Sequence, residues 1–450
     1  MAGDRASNKL DHLPAETLDR LIRPFIKFSR IEAASGAVLL LFSLLALALV
    51  NSPWSVVFIK IWDTRISVHV GSLELARSAR GWIDDGLMTL FFFVGALELK
   101  RELILGELRH FRIAALSVAG ALGGMLLPAC IYLLLRFGQP GANGWGTVMS
   151  TDTAFIMGCL ALLGSRIPPN LRLFVLSLAL IDDMGAILVA AIGYSSQLNW
   201  IALGLSAIGL TAVRGMSLLG IRSIPIYFVA GGLIWLAVDA SGVHATLTGV
   251  ALGLLTPTQR WVSDDRLHAI LDRVVAYPSG DHWSGDTEDR KALRLAEVAA
   301  RETLSPVEQL ELMLHPWIGF LVLPLFAFAN AGVHVSFGDL GNPITAAVFA
   351  GLVIGKPVGI LAVSWIAVRT GIAVRPKHLS WGMMTGGGLL AGIGFTMALL
   401  IANLAYGADM LNAAKLGILS ASVVSAAAGI TFLAWLSPSK KRSIDNALRL

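Results

Sequence analysis

Charge is scarce in this sequence: 14% of its 450 residues are Asp, Glu, Lys or Arg, against about 25% in an average soluble domain. Hydrophobic residues make up 55% and the mean hydropathy is +0.71, which excludes an ordinary soluble globule and indicates a polytopic membrane protein. Cysteine is nearly absent. Cys130 and Cys159 both lie within apolar runs and spell neither a disulfide framework nor a metal spacing. The first thirty residues are polar and charged, with no apolar core before a small-residue cleavage site, so no removable signal peptide is expected. A single basic face is also missing. Although the net charge is +5, the arginines and lysines fall between apolar runs, which excludes nucleic acid as a partner.

What the chain does have is apolar runs, at roughly 34–50, 86–97, 113–135, 145–164, 173–194, 201–213, 225–238, 243–256, 316–336, 344–367, 382–405 and 413–436. They predict an all-α membrane domain over residues 31–436 with about 12 transmembrane helices. Four runs (86–97, 201–213, 225–238 and 243–256) fall short of the roughly 20 residues a crossing prefers.

Basic residues alternate along the connections. Arg20, Arg23, Lys27 and Arg30 precede the first run, Lys100, Arg101, Arg109 and Arg112 follow the second, Arg166 and Arg172 the fourth, and Arg214 and Arg222 the sixth. The long loop 257–315, then Arg369, Arg375 and Lys377, and finally Lys440, Lys441 and Arg442 continue the series; the intervening short connections hold almost none, only Arg136 and Lys415. The positive-inside rule then places both termini in the cytoplasm, with residues 1–30 as an extension and 437–450 as a tail. Residues 60–80 alternate around Gly71-Ser72 as a small external β-hairpin that needs something to pair with. In 257–315, the stretch around Pro278-Ser279-Gly280 reads as flexible and the ends as helical, with an amphipathic helix near 288–303.

Four charges stand inside apolar runs. Asp182 and Asp183 are adjacent in Leu180-Ile181-Asp182-Asp183-Met184-Gly185, Asp152 follows Ser150-Thr151, and Lys356 follows Gly355 near the middle of its run. Inserted singly, the four would cost about 10–14 kcal/mol in all, so they must pair, hydrate or sit beside broken helix ends. Adjacent helical residues project about 100° apart, so one lysine cannot satisfy both aspartates and a purely structural salt bridge is a poor account. Glycines suggest where helices break: Gly141, Gly144 and Gly146 upstream of Asp152, and Gly386-Gly387-Gly388 with Gly392 and Gly394 in the eleventh run. Unwound backbone is tolerated within a membrane only where it lines a cavity or is buried in protein. Two interrupted crossing helices, one in each half of the chain, point to an ion site between inverted repeats; close packing of small residues is the competing explanation. A buried carboxylate pair tolerates protons or a cation but not bare charge. Its hard oxygens suit a small alkali ion, with Thr151 or backbone carbonyls completing the shell. Proton and metal ion then compete for one alternating-access site, which is sufficient for exchange.

At this point the sequence resembles the bacterial NhaA sodium/proton antiporter family. The resemblance runs through residues 30–436, carried by Ala96-Leu97-Glu98-Leu99-Lys100-Arg101-Glu102, Ser150-Thr151-Asp152-Thr153-Ala154-Phe155, Ile181-Asp182-Asp183-Met184-Gly185-Ala186, Ser241-Gly242-Val243-His244-Ala245-Thr246, His315-Pro316-Trp317, Gly355-Lys356-Pro357 and Gly392-Ile393-Gly394-Phe395-Thr396-Met397. It implies inverted repeats, of which that family is itself an example. It further implies Na+ or Li+ taken from the cytoplasm in exchange for external H+, electrogenically and under pH control, in the inner membrane, with no cofactor and no enzymatic reaction. By position, the resemblance makes Asp182 and Asp183 the ion and proton site, with Thr151, Asp152 and Lys356 supporting it. It assigns Glu98, Arg101, Glu102, Glu311 and His244 to the pH response, and the 60–80 hairpin to a homodimer contact. The sequence departs at Ala96, where the family usually has glycine, and at Leu312, where it often has histidine.

Two other readings compete. An intramembrane aspartyl protease also uses paired aspartates, but its Tyr-Asp and Gly-x-Gly-Asp signatures do not precede Asp152 or Asp182. A sodium-coupled organic-solute symporter of related broken-helix architecture would not need Lys356 beside the pair.

Overall fold

In hydrocarbon every backbone N–H and C=O must be satisfied within its own segment, so the apolar runs fold as helices. The computed structural model describes residues 32–70, 73–194, 198–221, 223–275, 288–334, 338 and 341–436. The extension 1–30, the tail 437–450, the turn Gly71-Ser72 and the loop centre around Pro278-Ser279-Gly280 lie outside the described residues.

Helix α1 (Glu32–Val50) bends by 116° into α2 (Ser55–Asp63). Strands β1 (Arg65–Val70) and β2 (Leu73–Ser78) pair antiparallel, from Arg65 opposite Ser78 to Val70 opposite Leu73. This ribbon is tied down: Trp82 Nε1 donates to Ile66 O at 3.1 Å, and the Arg77 guanidinium bridges Asp85 and Asp239. A short helix (Ala79–Gly81) and a π turn (Trp82–Leu87) lead into α3 (Met88–Ile104). The chain continues as α4 (Phe111–Arg136), a 3-10 segment (Ala142–Val148), α5 (Thr153–Leu163), α6 (Pro169–Gly193), α7 (Trp200–Leu218), α8 (Ile224–Ala240) and α9 (Leu247–Leu255).

In the long loop, α10 (Asp264–Val275) packs against α11 (Glu288–Glu302). Then come α12 (Pro306–Trp317), the π turn Ile318–Val322, α13 (Leu323–Asn330), α14 (Pro343–Ala350), the π turn Gly351–Gly355, α15 (Lys356–Arg369), α16 (Trp381–Ala391), α17 (Phe395–Ala405) and α18 (Ala408–Leu436). The last two π turns end just before Pro324 and Pro357. Proline has no N–H to return to the carbonyl four residues back, so the hydrogen-bond ladder shifts there.

Among the described residues, seven helical stretches are long and apolar enough to cross a membrane, or up to nine if each of two bent pairs is one span. The short runs have particular causes. The run at 201–213 extends to Trp200–Leu218 because Asn199 Oδ1 accepts from Ile201 N and Ala202 N and starts the helix early. That at 86–97 continues through its charged end to Ile104. The run at 243–256 yields only the nine residues of α9.

Two groups of helices are recognisable from their packing. In one, α4 packs on α6, α14 and α15, and α18 packs on α14, α16 and α17. In the other, α3 packs on α9 and α12, α7 on α8, and α1 on α13. The groups meet where α3 lies on α6, α1 on α5, and α13 on α17. Glycine makes the closest approach possible: a Cβ on Gly123 of α4 would collide with Gly359 O of α15, and a Cβ on Gly359 with Gly123 O.

Gly386-Gly387-Gly388 proves to be helical. It lies inside α16 and packs against Leu433, Val175 and Pro357, so the explanation by close packing holds for the triplet. The break falls after it, at Gly392-Ile393-Gly394. Lys415 is not in a connection either. It is 5% exposed, within α18.

Candidate functional site

Helix α6 starts at Pro169, where a missing N–H costs nothing. It carries Asp182 and Asp183 at its middle, 0% and 3% exposed. Two interrupted helices close over them. The 3-10 segment Ala142–Val148 gives way to non-helical backbone at Ser150–Asp152 before α5 begins, and α16 breaks from α17 with a bend of 45°. The two breaks touch: Asp152 N donates to Ile393 O at 2.6 Å.

The Asp152 carboxylate joins them. One oxygen accepts from Phe155 N at 3.1 Å, capping α5, and the other from Thr396 N at 2.9 Å, at the start of α17. Both helix N-termini present orphan N–H groups and partial positive charge, so one buried anion answers two ends. Lys356 does the converse. Its ammonium donates to Met149 O at 2.6 Å, past the end of the 3-10 segment, and lies 2.7 Å from Asp182 Oδ2. Lysine and aspartate are both 0% exposed. The Thr151 hydroxyl lies 2.5 Å from the same Asp182 oxygen and 3.3 Å from Ala391 O, the last residue of α16.

Asp183 is held differently. Among the described residues the Thr153 hydroxyl alone, at 3.3 Å, reaches its Oδ2, and Asp152 and Asp182 act on it as like charges. Asp182 Oδ1 and Asp183 Oδ1 are buried without hydrogen-bond partners, which is costly for a carboxylate unless a proton or a cation completes it. Among the described residues no group of three His, Cys, Asp or Glu side chains forms a metal cluster. The donor set is two aspartates with Thr151 and nearby carbonyls, hard oxygens of the kind that suit an alkali cation.

The residues expected to take part in the pH response fall in two places. Arg101 pairs with Glu311 and, at 3.3 Å, with Glu102, while Glu98 acts electrostatically on Glu311. Glu311 belongs to α12, which opens with a capping box between Ser305 and Glu308. His244 is elsewhere. It is half-buried, hydrogen bonds the backbone of Tyr194 and leaves Nε2 unpartnered. Tyr194 follows α6 directly, eleven residues from Asp183, or about 16 Å along the helix.

Three features were missed from sequence. Lys100 donates to Leu254 O at 2.6 Å and Thr256 O at 2.5 Å, neutralising the carbonyl end of α9. The Tyr194 hydroxyl donates to Asn143 O at 2.5 Å and accepts from Gly146 N at 3.2 Å, steadying the 3-10 segment. Asp84, of another adjacent pair, Asp84-Asp85, belongs to a polar network with Asn330, Asn403 and Lys415. The Asp-Asp repetition was a usable signal for the last; the other two had none in the sequence.

A family model described as Na+/H+ antiporter 1 matches residues 26–433. The chain is 59% identical to Na(+)/H(+) antiporter NhaA 1 of Acidiphilium cryptum (strain JF-5) over 433 residues, covering 96% of each chain. It is 57% identical to Na(+)/H(+) antiporter NhaA of Rhizobium meliloti (strain 1021), covering 97% of this chain and all of that one. A third relative, Na(+)/H(+) antiporter NhaA 2 of Vibrio vulnificus (strain CMCP6), is 53% identical with 97% and 98% covered. With a bent helix pair crossing over two buried aspartates and a match this long and this close, the chain belongs to the Na+/H+ antiporter 1 family.

Proposed function

We propose that this protein exports Na+ or Li+ in exchange for external H+ by alternating access at Asp182 and Asp183. One observation carries the reading: two adjacent, buried carboxylates each keep an oxygen without a partner, and the other Asp182 oxygen is engaged by Lys356 and Thr151. A cation entering between the aspartates recruits those free oxygens and competes with Lys356 for Asp182. The protons that had stabilised the empty site then leave, because proton and metal ion neutralise the same charge. Thr151 stays as a neutral ligand, and Asp152 keeps the two half-helices together through either state. If two protons move for each monovalent ion, the membrane voltage drives the cycle by about 2.3 kcal/mol per charge per 100 mV.

Counting α1, the run 79–104, α4, the run 142–163, α6, α7, α8, α9 and the runs 306–330, 343–369, 381–405 and 408–436 as one crossing each gives twelve. Each broken span sits between two unbroken ones, α4 and α6 in one half and 343–369 and α18 in the other, which supports an inverted repeat. The alternation of basic connections supports a bacterial inner-membrane topology with both termini on the cytoplasmic side. Residues 60–80 then face outward and supply the homodimer contact. Glu98, Arg101, Glu102 and Glu311 lie on the cytoplasmic side, where they set the response to pH.

The test is proton flux in inverted vesicles. Adding Na+ or Li+ to vesicles acidified inside should discharge the gradient, with K+ as the comparison; no cation-dependent discharge between pH 6.5 and 9 removes the reading. A symporter would instead require an organic solute for cation flux.

A further inference from the structure

The second buried charge network lies away from the ion site and spans the seam between the two groups of helices. Asn330 Nδ2 donates to Asp84 Oδ1 at 2.6 Å and Asn403 Nδ2 to Asn330 Oδ1 at 2.8 Å, with a longer contact of 3.4 Å to Asp84 Oδ2. Lys415 Nζ donates to Asn330 O at 3.0 Å and, with Arg80, acts electrostatically on Asp84. Asp84 and Asn330 belong to the group containing α3 and α13. Asn403 and Lys415 belong to α17 and α18, in the group that holds the crossing.

The network therefore has a place in the transport cycle. Asn403 is seven residues beyond Thr396, about two turns along α17 from the N–H that meets Asp152. Half-helix α17 is thus held at both ends by a carboxylate, Asp152 at the crossing and Asp84 through Asn403 at the far end. The start of the run 79–104, the end of α13, the end of α17 and the start of α18 all gather at the end opposite Glu98–Glu102, which is the external end in the topology proposed above. For the outside to reach the aspartates, the two groups must separate there. Of the three bonds across that seam the one from Lys415 is buried and the two from Asn403 are half-buried, and two involve charged groups, so breaking them opposes separation.

We propose that Asp84, Asn330, Asn403 and Lys415 form an external latch, positioning residues that hold the outer ends of the two helix groups together and bias the cycle against the outward-open state. The proposal rests on the antiporter reading for its direction but not for its test. In a background with Cys130 and Cys159 replaced by serine, Ser150→Cys places a thiol beside the crossing. Its modification by a membrane-impermeant methanethiosulfonate reagent is then timed from each face of oriented vesicles.

Asn403→Leu removes the cross-seam amide while leaving both charges. It should raise the labelling rate from outside about fivefold or more and lower the rate from inside, as expected for losing half-buried hydrogen bonds that favour one state. Asp84→Asn keeps the shape and removes the attraction for Lys415; it should shift the rates in the same direction and carries the test if Asn403→Leu does not fold. Rates unchanged from both faces in a folded variant, or raised equally from both, overturn the latch. Exchange by the parent protein is scored separately, so its absence would strike the antiporter reading and unchanged sided labelling would strike the latch alone.

Discussion

Asp182 and Asp183 are neighbours with unequal surroundings: the first has Lys356 and Thr151 on one oxygen, the second only a long contact to Thr153. Neutralising either should abolish exchange, because in the proposed cycle each would supply its unpartnered oxygen to one ion. Asp182→Asn and Asp183→Asn are expected to insert normally yet give no Na+-dependent proton flux, and normal turnover in both would refute the assignment. Lys356→Ala should keep the aspartates but alter the pH dependence or voltage sensitivity of exchange; unchanged behaviour in both would reduce the lysine to a structural role. Asp152→Ala leaves two helix N-termini uncapped and should cost about 1–4 kcal/mol by denaturant titration, from roughly 0.5–2 kcal/mol per cap. These four charges were legible in the sequence because each stood within an apolar run, where a charge is expensive. Lys415 was misread as a connection residue because it stands only three positions into its run, and Asp84 was passed over because it lies just before one. Burial at such places depends on which other helices cover them, and the sequence does not state that.

At the scale of elements, the ion site depends on helices that stop and on helices that touch. Gly123 and Gly359 let α4 and α15 meet backbone to backbone, which sets Lys356, at the start of α15, against α4's neighbour α6. Gly123→Ala should therefore separate the pair, costing about 1–3 kcal/mol as over-packing does, and should raise apparent Na+ affinity by drawing Lys356, the cation's competitor, away from Asp182. A variant with wild-type stability would show that the contact has slack. The first interruption was visible from Gly141, Gly144 and Gly146 upstream of Asp152, although Gly144 and Gly146 lie in a 3-10 segment that Gly141 precedes and the non-helical break falls later, at Ser150–Asp152. The second was misplaced. Three consecutive glycines looked like the weak point, yet neighbouring helices fill the space beside them and keep them helical, whereas Gly392 and Gly394 bracket the break. Composition registers how easily a helix can open; only packing decides whether it does.

In the whole molecule, two groups of helices meet along a seam, with the crossing in one and the Arg101–Glu311 pair in the other. That the molecule is mostly helical and crosses a membrane several times could be anticipated from its apolar runs. The tie from Arg77 to Asp85 and Asp239 could not, because residues 162 apart in sequence meet there only through the fold. If residues 60–80 supply the dimer contact, deleting 65–78 should shift the protein toward monomer by light scattering while exchange survives; an unchanged dimer would place the contact elsewhere.

Competition at the aspartate pair is tested most directly without transport at all. Na+ is titrated into purified protein in weakly buffered detergent solution while released protons are recorded, for the parent and for Asp182→Asn and Asp183→Asn. Protons should appear in proportion to Na+ bound and saturate with it, apparent Na+ affinity should fall as pH is lowered, and both variants should release none. Saturable Na+ binding with no proton release, at a pH-independent affinity, would contradict the account.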